Sequence, residues 1–167
     1  MIYKFRLISD ESSNFKLEIK IDADDTFLQL RNAILDAVGF SKDQMDSFII
    51  CDEDWQKEKE VTLEDMGSDS DEDIWLMADT RLSDLIEDEG QRLMFVFDYL
   101  TNRSFFMEMK ELIPSQSLSA PVCSLKTGIP PKQVSDIDSF EEKSTNKGSS
   151  ATNSDDMDAD FYGSEGF

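Results

Sequence analysis

Carboxylates are the chemistry this sequence has in supply: 37 Asp and Glu residues and no histidine among 167. The most conspicuous is Asp98, set in "FVFDYLTNRSFFMEM" (residues 95–109) between aromatic and aliphatic side chains. Paired with Glu108 across a hairpin, it would supply the two carboxyl groups of general acid–base catalysis. Such a pair must share one water-excluding pocket and hold divergent pKa values. A symmetric hairpin turning at Thr101 and Asn102 carries Glu108 several residues beyond the partner of Asp98. Asp98 is therefore expected to end a strand and accept N–H groups of the following turn. No catalytic residue is assigned, and Asp98 and Glu108 remain as binding candidates.

The missing histidine excludes Ser-His-Asp and Cys-His catalysis, histidine-ligated zinc and a histidine pH switch. Asp69, Asp71 and Asp73 alternate as at the start of a calcium loop, but Ile74 and Thr80 stand where such a loop needs Gly and Glu. A solvated acidic loop is expected there, with no metal site and no cofactor. Cys51 and Cys123 form no CxxC pair and are expected as buried, reduced thiols in a cytoplasmic protein. "MIYKFRLISDESS" meets charge before any stretch of signal length, so neither a signal peptide nor a membrane span is expected.

Sixteen basic residues leave a net charge of −21. That field repels phosphate backbones and anionic membranes, so direct nucleic-acid or membrane binding is not expected and a basic protein partner is. A non-enzymatic interaction module docking to such a partner ranks first. A nucleic-acid mimic that occupies a partner's DNA or RNA site ranks second. An enzyme using Asp98 and Glu108 ranks third. Nothing in the sequence sets the oligomeric state.

The elements that position these residues follow from periodicity. "IYKFRLI" and the alternating "FKLEIKI" read as a hairpin across residues 2–22. In "TFLQLRNAILDAVG", Thr26 and Gln29 form a capping box, Phe27, Leu30, Ile34 and Val38 share a stripe, and Gly39 ends the helix. The expected class is α+β: a hairpin and helix opening in β-grasp-like fashion, extended by a second helix in "TRLSDLIEDEG" and by antiparallel strands. "MDSFIICDEDW" carries a short strand into an acidic surface stretch, where Trp55 and Trp75 are expected to pack back on the domain. "RLMFVFDY", apolar on both faces, should be central in its sheet, with "RSFFMEMKEL" as its partner. After residue 113 an irregular segment holds all four prolines.

A domain over residues 1–133 is followed by an acidic, low-complexity tail over 134–167, net −7 and expected to be disordered. Phe161, Tyr162 and Phe167 lie among its carboxylates as further binding candidates for a basic groove.

"TFLQLRNAILDAVGF", "LSDLIEDEGQRLMFVFDY" followed by "MEM", and "PVC" with a later "PP" together resemble the Ri-plasmid Orf-three-like family, also labelled insertion-element passenger TnpR. The tail with "DFYG" and "EGF" is similar to a Bacteroidetes version. The resemblance implies an α+β domain of uncharacterised activity. The family's Tyr-Asp-Phe-Gly-Asp stretch, followed by a Trp, meets Phe97, Asp98, Tyr99, Leu100 and Thr101 here, with Arg103 at the Trp. Asp98 and Glu108 match the pattern. A resolvase chemistry, which the label suggests, needs a nucleophilic Ser amid arginines and a basic DNA-binding helix pair, whereas the arginines here are scattered.

Overall fold

A computed structural model describes residues 1–65 and 74–134; the acidic loop 69–73 and the tail with Phe161, Tyr162 and Phe167 lie outside the described residues. Met1–Gln133 form one compact unit. Its frame is an eight-stranded sheet, and its strands in chain order are β1 (Ile2–Ile8), β2 (Lys16–Asp22), β3 (Ser47–Cys51), β4 (Lys57–Thr62), β5 (Trp75–Leu76), β6 (Arg92–Asp98), β7 (Arg103–Ile113) and β8 (Val122–Thr127). Across the sheet they run β5-β4-β3-β6-β7-β1-β2-β8. Every neighbouring pair is antiparallel except β4 with the two-residue β5.

The β1–β2 hairpin forms in full register from Ile2↔Asp22 to Ile8↔Lys16. Helix α1 (Phe27–Val38) begins at the Thr26–Gln29 capping box and ends at Gly39, whose φ of 74° is a conformation that costs glycine little. Phe27, Leu30, Ile34 and Leu35 bury the helix stripe against one face of the sheet, where Phe5, Leu7, Leu17, Phe48, Phe95 and Phe105 complete the core. Arg31 is buried on the same helix because both Asp46 oxygens accept from its Nε, at 2.7 and 2.9 Å, and Lys42 O accepts from Nη2 at 2.8 Å. Burial pushes the Asp46 carboxyl up, against the pull of that guanidinium.

The α+β, β-grasp-like expectation is corrected. A grasp would lay β1 in parallel beside a later strand, yet β1 lies between β2 and β7, antiparallel to both. The described residues form mainly one mixed sheet, with α1 and a single turn of helix, α2 (Leu82–Leu85). The second helix stops early because Ile86 leaves the helical path to bury completely in the core. Arg81 is its N-cap, and its N–H donates to Asp84 Oδ2. Three strands lie where surface or irregular chain was expected. β4 ("KEKEVT") and β5 extend the sheet beyond β3, and β8 pairs with β2 out of the proline-bearing segment. All three lie toward the two flanks of the sheet and are held there chiefly by backbone pairing, β4 with β3, β5 with β4 and β8 with β2, so their side chains carry little apolar alternation.

Candidate functional site

The β6–β7 turn explains Asp98. Its Oδ1 accepts from the N–H groups of Leu100 at 3.1 Å and Thr101 at 3.4 Å, and its Oδ2 from the Thr101 hydroxyl at 2.7 Å. Arg103 Nη1 donates to the same Oδ2 at 3.4 Å. Burial alone would push this carboxyl up, but the donors from Thr101, Arg103 and Leu100 outweigh it and hold it below the usual carboxylate range. Asn102, at φ 55°, closes the turn in the left-handed region that Asn tolerates.

Glu108 is elsewhere. Its partner on β6 is Arg92, while the partner of Asp98 is Arg103. On its other side Glu108 faces Arg6 of β1, which in turn faces Glu18 of β2. Arg92, Glu108, Arg6 and Glu18 thus alternate in sign across four neighbouring strands, an arrangement that stabilises cross-strand pairs. Arg6 donates to Glu18 Oε2 from Nε at 2.8 Å and sits 2.6 Å from it through Nη2. The two carboxylates that match the family pattern therefore serve separate arrangements, one a turn and one a charge ladder.

The ladder lies on the sheet face opposite the core. Beside it the strand registers align Ile49, Met94, Phe106 and Ile8 into an apolar row across β3, β6, β7 and β1. Among the described residues no helix covers that row, and Ile8 remains 47% exposed. Trp55 closes one side of it, edge-on to Phe106 at 5.3 Å with the Arg92 guanidinium 5.1 Å over its ring. It reaches this position from a left-handed backbone, φ 64°, which costs a bulky residue about 1–2 kcal/mol. Asp52 holds the loop in that shape, accepting the Asp54 and Gln56 N–H groups on Oδ1 at 2.8 and 2.9 Å. Trp55 and Trp75 are both half-buried on the domain, Trp55 on this open face and Trp75 against the core.

At the turn end of the row is a groove of about 320 Å³. Met94, Val96 and Phe106 line its apolar part, and Asp10, Asn102 and Arg103 are among its polar residues. Arg103 commits all five of its N–H donors. Glu11 takes two at 2.8 Å each, Asp98 one, and the Lys132 and Gln133 carbonyls the remaining two. Its guanidinium also lies 5.0 Å over the Phe97 ring. The clamp ties the β1–β2 hairpin and the β6–β7 turn to the segment 128–133. There Gln133 Nε2 donates to Ser41 O at 2.9 Å, and its Oε1 accepts the Ser41 N–H at 2.7 Å.

A second concentration of charge occupies another part of the unit. Backbone bonds from Leu82 to Asp25 O and from Ser83 to Ala23 O lay the 79–89 segment against the β2–α1 loop. Asp24, Asp79, Asp84, Glu87, Asp88 and Glu89 are all exposed along these two stretches, with Arg81 as the one basic residue. The Tyr3 hydroxyl, which donates to Ile86 O at 2.6 Å, is pushed up by burial first and then by Glu87, Asp24 and Asp88. Among the described residues no group of three or more His, Cys, Asp or Glu is arranged to hold a metal ion.

Sequence reasoning missed Arg103 as a hub and the apolar row. The row was there to be found, since "SFFMEM" places Ser104, Phe106 and Glu108 on the face away from Phe105, Met107 and Met109. Cys51 is buried as expected, and burial raises its thiol; Cys123 is exposed, because β8 is an edge strand.

The plasmid pRiA4b ORF-3-like family profile matches residues 7–160. The chain belongs to that family. A crystal structure of a protein of unknown function from Methanosarcina mazei Go1 shares the fold at 15% identity, with a TM-score of 0.57 over 75% of this chain and 68% of the other. None of the curated proteins matches. Among the described residues of this ORF-3-like protein, no helix is long and apolar enough to cross a membrane.

Proposed function

We propose that this ORF-3-like protein is a non-enzymatic, acidic interaction module that docks to a basic protein partner in the reducing cytoplasm. The observation that carries the reading is the acidic surface built from the β2–α1 loop and the 79–89 segment, six exposed carboxylates against Arg81. Carboxylates held close together on one folded surface steer a cationic partner and accelerate its encounter, an effect that salt weakens. The separation of Asp98 from Glu108 supports the reading too, because it removes the pair on which acid–base chemistry would have rested.

The test is capture from the protein's own cells with the tagged full chain, at low and high salt. Retention of a basic protein should fall steeply with salt, and reversing Asp79, Glu87 and Asp88 to Lys should abolish it with melting unchanged. Capture that ignores both salt and the triple reversal sinks the reading.

A further inference from the structure

The groove at the β6–β7 turn has an occupant that its chemistry selects. We propose that it receives a lysine or arginine side chain from an extended segment of the partner; this rests on the reading above that the partner is basic. Shape comes first. β6 and β7 are interior strands, each paired on both sides, so a partner's backbone finds no sheet edge here and must be read through a side chain. About 320 Å³ takes one long side chain and not a helix. Met94, Val96 and Phe106 supply the apolar floor along which an aliphatic stem lies while its charged head stays at the wet rim.

Charge decides the head group. Arg103 is the groove's one cation among its lining residues, and its five donors are already taken, so it has none to offer an anion. Asp10 is exposed at the rim, and among the described residues its carboxylate has no ion-pair or side-chain hydrogen-bond partner. Asp10 and Glu11 line the groove with Arg103, and Asp98 pairs with Arg103 from beside it, so carboxylates outnumber the one cation. An ammonium or guanidinium in the groove meets Asp10; a purely apolar side chain leaves that charge unanswered, and an acidic one is repelled. Asp98 acts as a positioning residue, since it shapes the turn that forms the rim.

The experiment titrates the isotope-labelled full chain at physiological salt with a nine-residue Gly/Ser/Ala peptide bearing one central Lys, followed by amide chemical shifts. Counterparts carry Arg, norleucine or Glu at the centre. The Lys and Arg peptides should move Met94, Thr101, Ser104 and Phe106, and the other two should not. Asp10→Asn should weaken binding about fivefold, the scale of one exposed ion pair. Met94→Trp, which fills the floor, should abolish it, with both variants melting as the parent does. Equal binding of the norleucine peptide overturns the cationic occupant, as does an absence of groove shifts at millimolar peptide. Shifts confined to Asp24 and the 79–89 segment overturn the groove but leave the basic-partner reading standing. If, in addition, salt-sensitive capture by the full chain is absent, both fall.

Discussion

Replacing Arg103 by Met keeps an unbranched stem over Phe97 and deletes the guanidinium. Five charge-assisted hydrogen bonds disappear, to Glu11, Asp98 and the carbonyls of Lys132 and Gln133. At about 1.5–3 kcal/mol for each bond to a charged group, a naive sum would reach about 8–15 kcal/mol. Three features reduce it. The Glu11 side chain is 36% exposed and returns to water, and both carbonyls belong to surface segments that water can reach. Asp98, only 10% exposed, keeps its three donors from Leu100 and Thr101. What remains is a partly buried ion pair broken from one side, about 2–3 kcal/mol, plus about 0.5–1 kcal/mol for the lost cation–π contact.

A total near 3 kcal/mol corresponds to a fall of about 9 °C in melting temperature for a folded unit of this size. Arg103→Lys keeps the charge but not the fork and should lose about half as much. The loss should be local in origin, so backbone amides of 122–133 should exchange faster in Arg103→Met well before global unfolding. Circular dichroism melts and hydrogen exchange measure the two parts. A melting temperature within about 2 °C of the parent, or a full loss without faster exchange in that segment, refutes the clamp.

Phe105 and Phe106 are neighbours on opposite faces of β7: Phe105→Ala should cost about 3–5 kcal/mol in urea unfolding and Phe106→Ala about 1–2, and equal costs would mean the open face is not open. Gly128→Ala should be severe, at least about 2 kcal/mol, because a Cβ there would clash with the Asn14 carbonyl at a φ of 73°, whereas Gly90→Ala has free space and should cost about 1 kcal/mol, strain alone. Asp25 Oδ2 is buried with no hydrogen-bond donor among the described residues, and burial first, then Asp22 and Asp24, raise its pKa. A carboxyl raised in the folded state destabilises it when ionised, so Asp25→Asn should raise the melting temperature at pH 7 by roughly 2 °C, a gain that shrinks as pH falls through the folded pKa and is gone below the ordinary carboxylate value; a loss at pH 7 would contradict the sign.

Which parts of this molecule were legible follows from where each element's cause resides. α1 was readable to the residue because its causes are local: Thr26 and Gln29 cap it, its stripe repeats at helical spacing, and Gly39 stops it. The β1–β2 and β6–β7 hairpins were readable for the same reason, two alternating runs about a short turn. β4 and β8 were not, since "KEKEVT" and "VCSLKT" owe their conformation to β3 and β2, and their exposed side chains carry no imprint of that pairing. Nor could the sheet order be read, because β7 lies between β6 and β1, whose contact joins residues roughly a hundred apart in sequence. The α+β class, expected from the elements and implied by the resemblance, failed in part because the second helix read in "TRLSDLIEDEG" is ended by Ile86 after one turn. The candidate site sits where local and distant causes meet. Asp98 announces its turn from its own neighbours, but Arg103 becomes a clamp only once Glu11, from the other hairpin, and Gln133, from the chain's far side, arrive beside it. Its five spent donors are thus a property of the fold, and so is the preference for a cation that follows from them.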